Sequence, residues 1–190
     1  MKLNMGCGFN KHDGYLNVDL APECQPDLVC DLESLPWPWE DNSIDEVLFN
    51  HSLEHIGQSP RIFLGMMKEL YRVCKDNARV RINVPHPRHD NFINDPTHVR
   101  IITPGMLPLF DRKINDELKA KGGANTRFAH YLGVDFFLES QQMVLCEPYS
   151  SQHEKGLLSD ADIELMSREW NNVASEYRMV IVARKSSPTS

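Results

Sequence analysis

The strongest constraint on the fold is the grouping of apolar residues. Before residue 85 they fall into short, strand-length runs, interrupted once by a long helical stripe. The runs are Lys2–Met5, Tyr15–Leu20, Asp27–Leu32, Ser43–Asn50 and Ala78–Val84. In the last, Val80, Ile82 and Val84 alternate with Arg79, Arg81 and Asn83, the period-2 signature of a half-buried strand. Between the fourth and fifth runs, Ser59 suits a helix cap and Pro60 a first turn, where a missing N–H costs nothing. Ile62, Phe63, Met66, Met67, Leu70, Tyr71 and Val73 follow at helical spacing, and Asp76-Asn77 turns the chain into the fifth strand. Further on, Thr103-Pro104 predicts a helix running to about Lys119, broken by Gly122-Gly123. Val134–Pro148 carries a long strand pattern. Ser159 with Asp162 resembles a capping box opening a helix over Asp160–Ala174, and Tyr177–Ala183 is a last strand. Strands alternating with helices predict an open α/β sheet with helices on its faces.

A chain of 190 residues suits one domain, expected over residues 1–185 with a disordered tail at 186–190. Hydrophobic residues at 41% and charged residues at 25% exclude disorder and collagen. No apolar run approaches the ~20 residues of a membrane helix. A net charge of −7 argues against a duplex nucleic-acid binder, whose affinity comes from phosphate contacts. The five cysteines are odd in number and include no C-x-x-C pair, so neither a disulfide framework nor a cysteine zinc site is expected. Without the apolar stretch of a secretory signal near the N-terminus, a cytoplasmic protein is expected.

Gly6-Cys7-Gly8 follows the first strand, where glycines let a ligand approach the backbone. Asp19 ends the second strand, and a carboxylate there accepts hydrogen bonds from both hydroxyls of a ribose. Only eleven positions separate Gly8 from Asp19, against the ≈ 20 of a dinucleotide site. Phe9–Gly14 is too short for a normal helix, and Lys11 stands where a third glycine belongs. A pyrophosphate wants a helix N-terminus, and that helix is missing. The ligand expected is one with a ribose and no phosphate, which disfavours a nicotinamide oxidoreductase. S-adenosylmethionine fits, with Asp31 suited to the adenine amino group and the Leu32 N–H to a ring nitrogen.

Several segments then resemble one family. Leu3-Asn4-Met5-Gly6-Cys7-Gly8 with Gly14-Tyr15-Leu16-Asn17-Val18-Asp19, Cys30-Asp31-Leu32-Glu33-Ser34-Leu35-Pro36, Asn50-His51-Ser52-Leu53-Glu54-His55-Ile56, and Asn94-Asp95-Pro96-Thr97-His98-Val99-Arg100 are similar to class I S-adenosylmethionine-dependent methyltransferases of a type 11-like branch with a shortened first helix. The resemblance is close over residues 3–110 and thereafter lies in strand order only. It implies a single Rossmann-like doubly wound sheet, mostly parallel with an antiparallel last strand, in the order 3-2-1-4-5-7-6. It further implies cofactor contacts from Gly6, Cys7, Gly8, Asp19, Leu20, Asp31, Leu32, Asn50 and His51. The family's helix before strand one is absent from this sequence, which leaves a face for a second copy or a partner to cover. No Asn/Asp-Pro-Pro-Tyr motif follows strand four, which argues against base amino groups as acceptors. The expected reaction is methyl transfer to a small-molecule or glycan-type acceptor; the alternative is a non-catalytic module that binds the same cofactor.

Displacing a sulfonium methyl group needs positioning, plus a base only where the nucleophile arrives protonated. His98 is the first candidate for base or substrate contact and His51 the second, with loop surface as the plainer role for each. No metal is expected, since His86, His89 and His98 match no standard ligand spacing. Trp37 and Trp39 either wall the pocket or pack, and Arg88 and Arg100 either hold an anionic acceptor or stay solvated.

Overall fold

The computed structural model describes residues 1–123 and 126–185. The expected tail at 186–190 lies outside the described residues. Seven strands form one sheet: β1 (Lys2–Met5), β2 (Leu16–Asp19), β3 (Leu28–Val29), β4 (Ile44–Asn50), β5 (Cys74–Pro85), β6 (Phe136–Leu145) and β7 (Ala174–Ala183). Their order is β3-β2-β1-β4-β5-β7-β6, as expected. Strands β1 to β5 pair in parallel, while β7 runs antiparallel to both neighbours.

Register explains the core. Leu3, Val47, Val80 and Ile181 stand side by side across four strands, and Met5, Phe49, Ile82 and Met179 form the next row on the same face. All eight are essentially fully buried. Helix α1 (Pro60–Val73) packs Phe63, Met66, Met67 and Leu70 into that cluster. Each such side chain contributes roughly 1.5–3 kcal/mol on burial. Ser59 Oγ accepts the Ile62 N–H at 3.2 Å, the expected cap. Intervening positions carry a polar face: Lys2, Arg79, Arg81 and Arg178 are exposed there. Glu46 gathers three donors, accepting from Arg81 Nε at 2.6 Å, Tyr15 Oη at 2.7 Å and Lys2 Nζ at 3.1 Å.

The connection from β1 to β2 holds no helix. Two buried asparagines replace it: Asn4 Nδ2 donates to Asn10 O at 2.9 Å and to Asn17 Oδ1 at 3.0 Å, and Asn17 Oδ1 also accepts the His12 N–H at 2.8 Å. Only a 3-10 turn, Pro22–Cys24, separates β2 from β3.

Some boundaries move. The Asp76-Asn77 turn is a bulge within β5: Ile44 pairs with Cys74 and Glu46 with Arg79, and Asn77 absorbs the slack at φ +62°. Thr103-Pro104 does not start a helix; that segment runs through a 3-10 turn at Leu107–Phe110, and Asp111 caps a helix over Arg112–Ala120. The Ser159–Asp162 capping box is present, but its helix stops at Glu169, and β7 begins at Ala174, where it pairs with Leu145. Three short helices, Asp90–Ile93, Phe128–Leu132 and Tyr149–Glu154, had no periodic signal.

Candidate functional site

The carboxyl ends of β1, β2 and β4 open onto a cavity of about 520 Å³. Gly6, Gly8, Asp19, Leu20, Asp31, Leu32 and His51 line it, with Cys30, Glu33, Ser52, His55 and Ile56. Gly6 sits at φ +68°, and a Cβ there would stand 2.5 Å from Ser52 Cβ, so only glycine fits. Ser52 is itself pinned, its Oγ donating to Met5 O at 2.7 Å. Gly8 donates its N–H to Asp19 Oδ2 at 2.7 Å, while Ala21 N–H reaches Asp19 Oδ1 at 2.9 Å. These bonds fix the carboxylate at the cavity wall, and each oxygen keeps a lone pair for a ligand. Asp31 is fixed likewise, accepting from Glu33 N–H at 2.9 Å and Ser34 Oγ at 2.7 Å. The lining contains three carboxylates, Asp19, Asp31 and Glu33, and no lysine or arginine.

Three expected site residues lie outside the lining. Cys7 is buried under the turn, with its thiol on Gly8 O at 3.3 Å. The Asn50 side chain is held by Asn83 Nδ2 at 2.9 Å. The His98 side chain is 6% exposed, stacks on Phe92, and is tied by Nδ1 to Phe92 O at 3.0 Å. Trp37 and Trp39 pack in the core, and Trp37 Nε1 donates to Leu32 O at 2.9 Å, bracing the segment that carries Asp31 and Leu32. Arg100 bonds Gly57 O at 3.0 Å through Nε and stacks over Phe63, and it is not among the residues that line this cavity.

His51 occupies the end of β4 at φ +53°, a conformation a non-glycine residue holds only when its surroundings impose it. Its Nε2 lies 2.7 Å from Glu176 Oε2, and its Nδ1 lies 3.7 Å from Glu54 Oε1. Glu54 is 1% exposed, and neither carboxylate oxygen has a hydrogen-bond partner. Burial, reinforced by the charge of Asp95, pushes its pKa up to about 7. His55 is shifted down by burial and by His98 beside it. Sequence spacing gave no sign of Glu176, which lies 125 positions from His51.

A second, larger cavity of about 860 Å³ lies near His86, Arg88, Met143 and Tyr177. It has neither the glycine turn nor a strand-end carboxylate, so the cofactor reading does not extend to it. Burial pushes the His86 pKa down to about 4.

Residues 3–82 match the family described as methyltransferase domain. No curated protein matches the chain in sequence. Among solved structures, a SAM-dependent methyltransferase from Archaeoglobus fulgidus aligns with TM-score 0.60 at 19% identity, covering 95% of this chain and 85% of that one. The 1,6-didemethyltoxoflavin-N1-methyltransferase of Burkholderia thailandensis, solved with 1,6-didemethyltoxoflavin and S-adenosylhomocysteine, aligns with TM-score 0.51 at 16% identity, covering 97% and 71%. The [4+2]-cyclase SpnF aligns with TM-score 0.52 at 14% identity, covering 97% and 75%.

Proposed function

We propose that this chain, a class I S-adenosylmethionine-dependent methyltransferase by its sequence match over residues 3–82 and by its fold, transfers methyl groups to a small-molecule or glycan-type acceptor. One observation carries the assignment of the site. Gly6, Gly8, Asp19 and Asp31 meet around one cavity, with no helix between the glycines and Asp19. In this reading Asp19 takes the ribose hydroxyls, Asp31 the adenine amino group, and the glycine turn the amino-acid end. The cofactor arrives already activated, so the protein's work is alignment of acceptor and methyl carbon. The acceptor class rests on the acidic lining and on the sequence Asn50-His51-Ser52-Leu53, where enzymes acting on base amino groups would carry prolines.

His51 acts as base in this reading. A carboxylate only accepts, so Nε2 carries the proton shared with Glu176, which leaves the Nδ1 lone pair for an acceptor hydroxyl. Glu176 is its positioning residue. His98 lies outside the cavity, with Nε2 3.9 Å from Glu54 Oε1, and touches no acceptor in this reading. The polar face of the sheet carries both signs, Arg79, Arg81 and Arg178 beside Glu46, Glu139 and Glu176. These charges are paired within the chain, and a homodimer that covers the exposed face is part of the reading. Among the described residues no helix is long and apolar enough to cross a membrane, and a cytoplasmic enzyme is proposed.

Titration calorimetry with S-adenosylhomocysteine tests the site. Saturable binding is expected, weakened about 10–100-fold in Asp19→Ala through loss of roughly 1.5–3 kcal/mol. No binding at millimolar ligand by folded protein removes the cofactor reading. SpnF shows that the fold can belong to a protein described as a cyclase. Transfer from labelled cofactor across a panel of sugars and phenols separates the enzyme from a binding module.

A further inference from the structure

The hydrogen bonds around Glu54 fix the proton of each of three imidazoles on the side away from it. His98 Nδ1 faces the Phe92 carbonyl, which only accepts, so Nδ1 holds a proton, and Nε2, a lone pair in the neutral ring, faces Glu54 Oε1 and, at 3.8 Å, Asp95 Oδ2. Thr97 Oγ1 donates to Asp95 Oδ1 at 2.6 Å and therefore accepts from His55 Nδ1 at 2.9 Å. His51 donates from Nε2 to Glu176. His98 Nε2 and His51 Nδ1 then stand 3.9 Å and 3.7 Å from the same atom, Glu54 Oε1. Lone pairs and a buried, unpartnered carboxylate thus converge on one space, an arrangement that favours a proton or a cation between them.

We infer that Glu54, His55 and His98 bind a divalent transition-metal ion, with an open position toward His51 and the cavity. One ligand atom from each of the three lies within 4.8 Å of the others. Tetrahedral ligands at about 2.0–2.2 Å from an ion would stand roughly 3.4 Å apart, so small side-chain rotations close the site. Two imidazoles and one carboxylate suit zinc or iron(II) and leave a position for an outside ligand. The contacts of His98 with Phe92 O and of His55 with Thr97 are the outer bonds that orient a ligating imidazole. The sequence spacing of His86, His89 and His98 pointed to no metal, because the partners of His98 are Glu54 and His55, more than forty positions earlier. The ion would ligate a hydroxyl-bearing acceptor beside His51; that role, unlike the binding itself, rests on the function proposed above.

The test is titration of chelator-stripped protein with Co²⁺, read by its visible absorption, and with Zn²⁺ by calorimetry. One ion per chain is expected, at micromolar affinity or tighter. Glu54→Gln and His98→Gln should each weaken binding at least 30-fold, while His130→Ala, at a remote surface pair with Asp116, leaves it unchanged. S-adenosylhomocysteine titration and circular dichroism on the same samples establish folding; should Glu54→Gln not fold, His98→Gln decides. Wild-type protein that binds S-adenosylhomocysteine but neither ion overturns the metal site and leaves the cofactor site standing. Metal binding that survives both glutamine variants places the ion elsewhere and also overturns the inference. Metal binding without S-adenosylhomocysteine supports the ion site and removes the cofactor reading instead.

Discussion

Replacing Gly6 by alanine separates two physical costs that act at one position. The first is backbone strain: an L-residue at φ +68° pays about 1–2 kcal/mol in the left-handed region. The second is overlap, because the new methyl group would lie 2.5 Å from Ser52 Cβ and 3.1 Å from Ser52 Oγ. Ser52 cannot retreat without loosening its 2.7 Å bond to Met5 O, and an unmade buried hydrogen bond costs about 1–3 kcal/mol. Together the expected loss is roughly 2–5 kcal/mol. Gly8→Ala is the internal control, since Gly8 has φ +50° and nothing within 4 Å of its missing Cβ. It should lose only the strain, about 1–2 kcal/mol. Urea denaturation of wild type, Gly6→Ala, Gly8→Ala, Ser52→Gly and Gly6→Ala/Ser52→Gly measures each part. The double variant already lacks the Ser52 hydroxyl, so in the Ser52→Gly background Gly6→Ala should cost only the strain, about 1–2 kcal/mol. Equal losses in the two single variants would refute the reasoning, because they would mean that Ser52 yields freely.

Other outcomes follow from the same geometry. The folded-state pKa of His86 lies near 4 against an ordinary 6.5, so the unfolded chain binds more protons between those values. Stability contributed by neutral His86 is present above pH 6.5 and fades as the pH falls toward 4, by at most about 3 kcal/mol; His86→Asn should flatten that part of the acid-denaturation profile. Ser159→Ala removes the capping box of the helix over Asp160–Glu169 and should cost about 1 kcal/mol by thermal or urea unfolding. Sedimentation equilibrium should give twice the 21.8 kDa chain mass, and a monomer at high protein concentration would remove the homodimer.

The sheet was readable because its signals are local. Val80, Ile82 and Val84 alternate along one strand, and the glycine turn reaches Asp19 across a single strand pair. What stayed hidden depends on contacts between distant segments. Glu54 looks like any charged residue after a strand, and its burial is set by the segment at 95–100, whose Val99 and Arg100 N–H groups bond to Glu54 O. Glu176 belongs to a stretch too polar to read as strand, yet pairing with Val144 extends β7 through it. The seclusion of His98 follows from Phe92, whose short helix has no periodic signature. Asn50 lies outside the cavity lining because Asn83 holds its side chain, a pairing that spacing does not reveal.

The loop that replaces a crossover helix after β1 also settles the field at the cavity. A helix starting at Gly8 would aim the positive end of its macrodipole, roughly half an elementary charge, into the space. Here no such end exists, and Asp19, Asp31 and Glu33 act without that counterweight. Under the function proposed above, a sulfonium is therefore attracted on entry, whereas the phosphates of a nucleotide meet three carboxylates and no lysine or arginine. Under the same proposal the neutral thioether left after methyl transfer forfeits that attraction, so the transfer itself would loosen the product's hold.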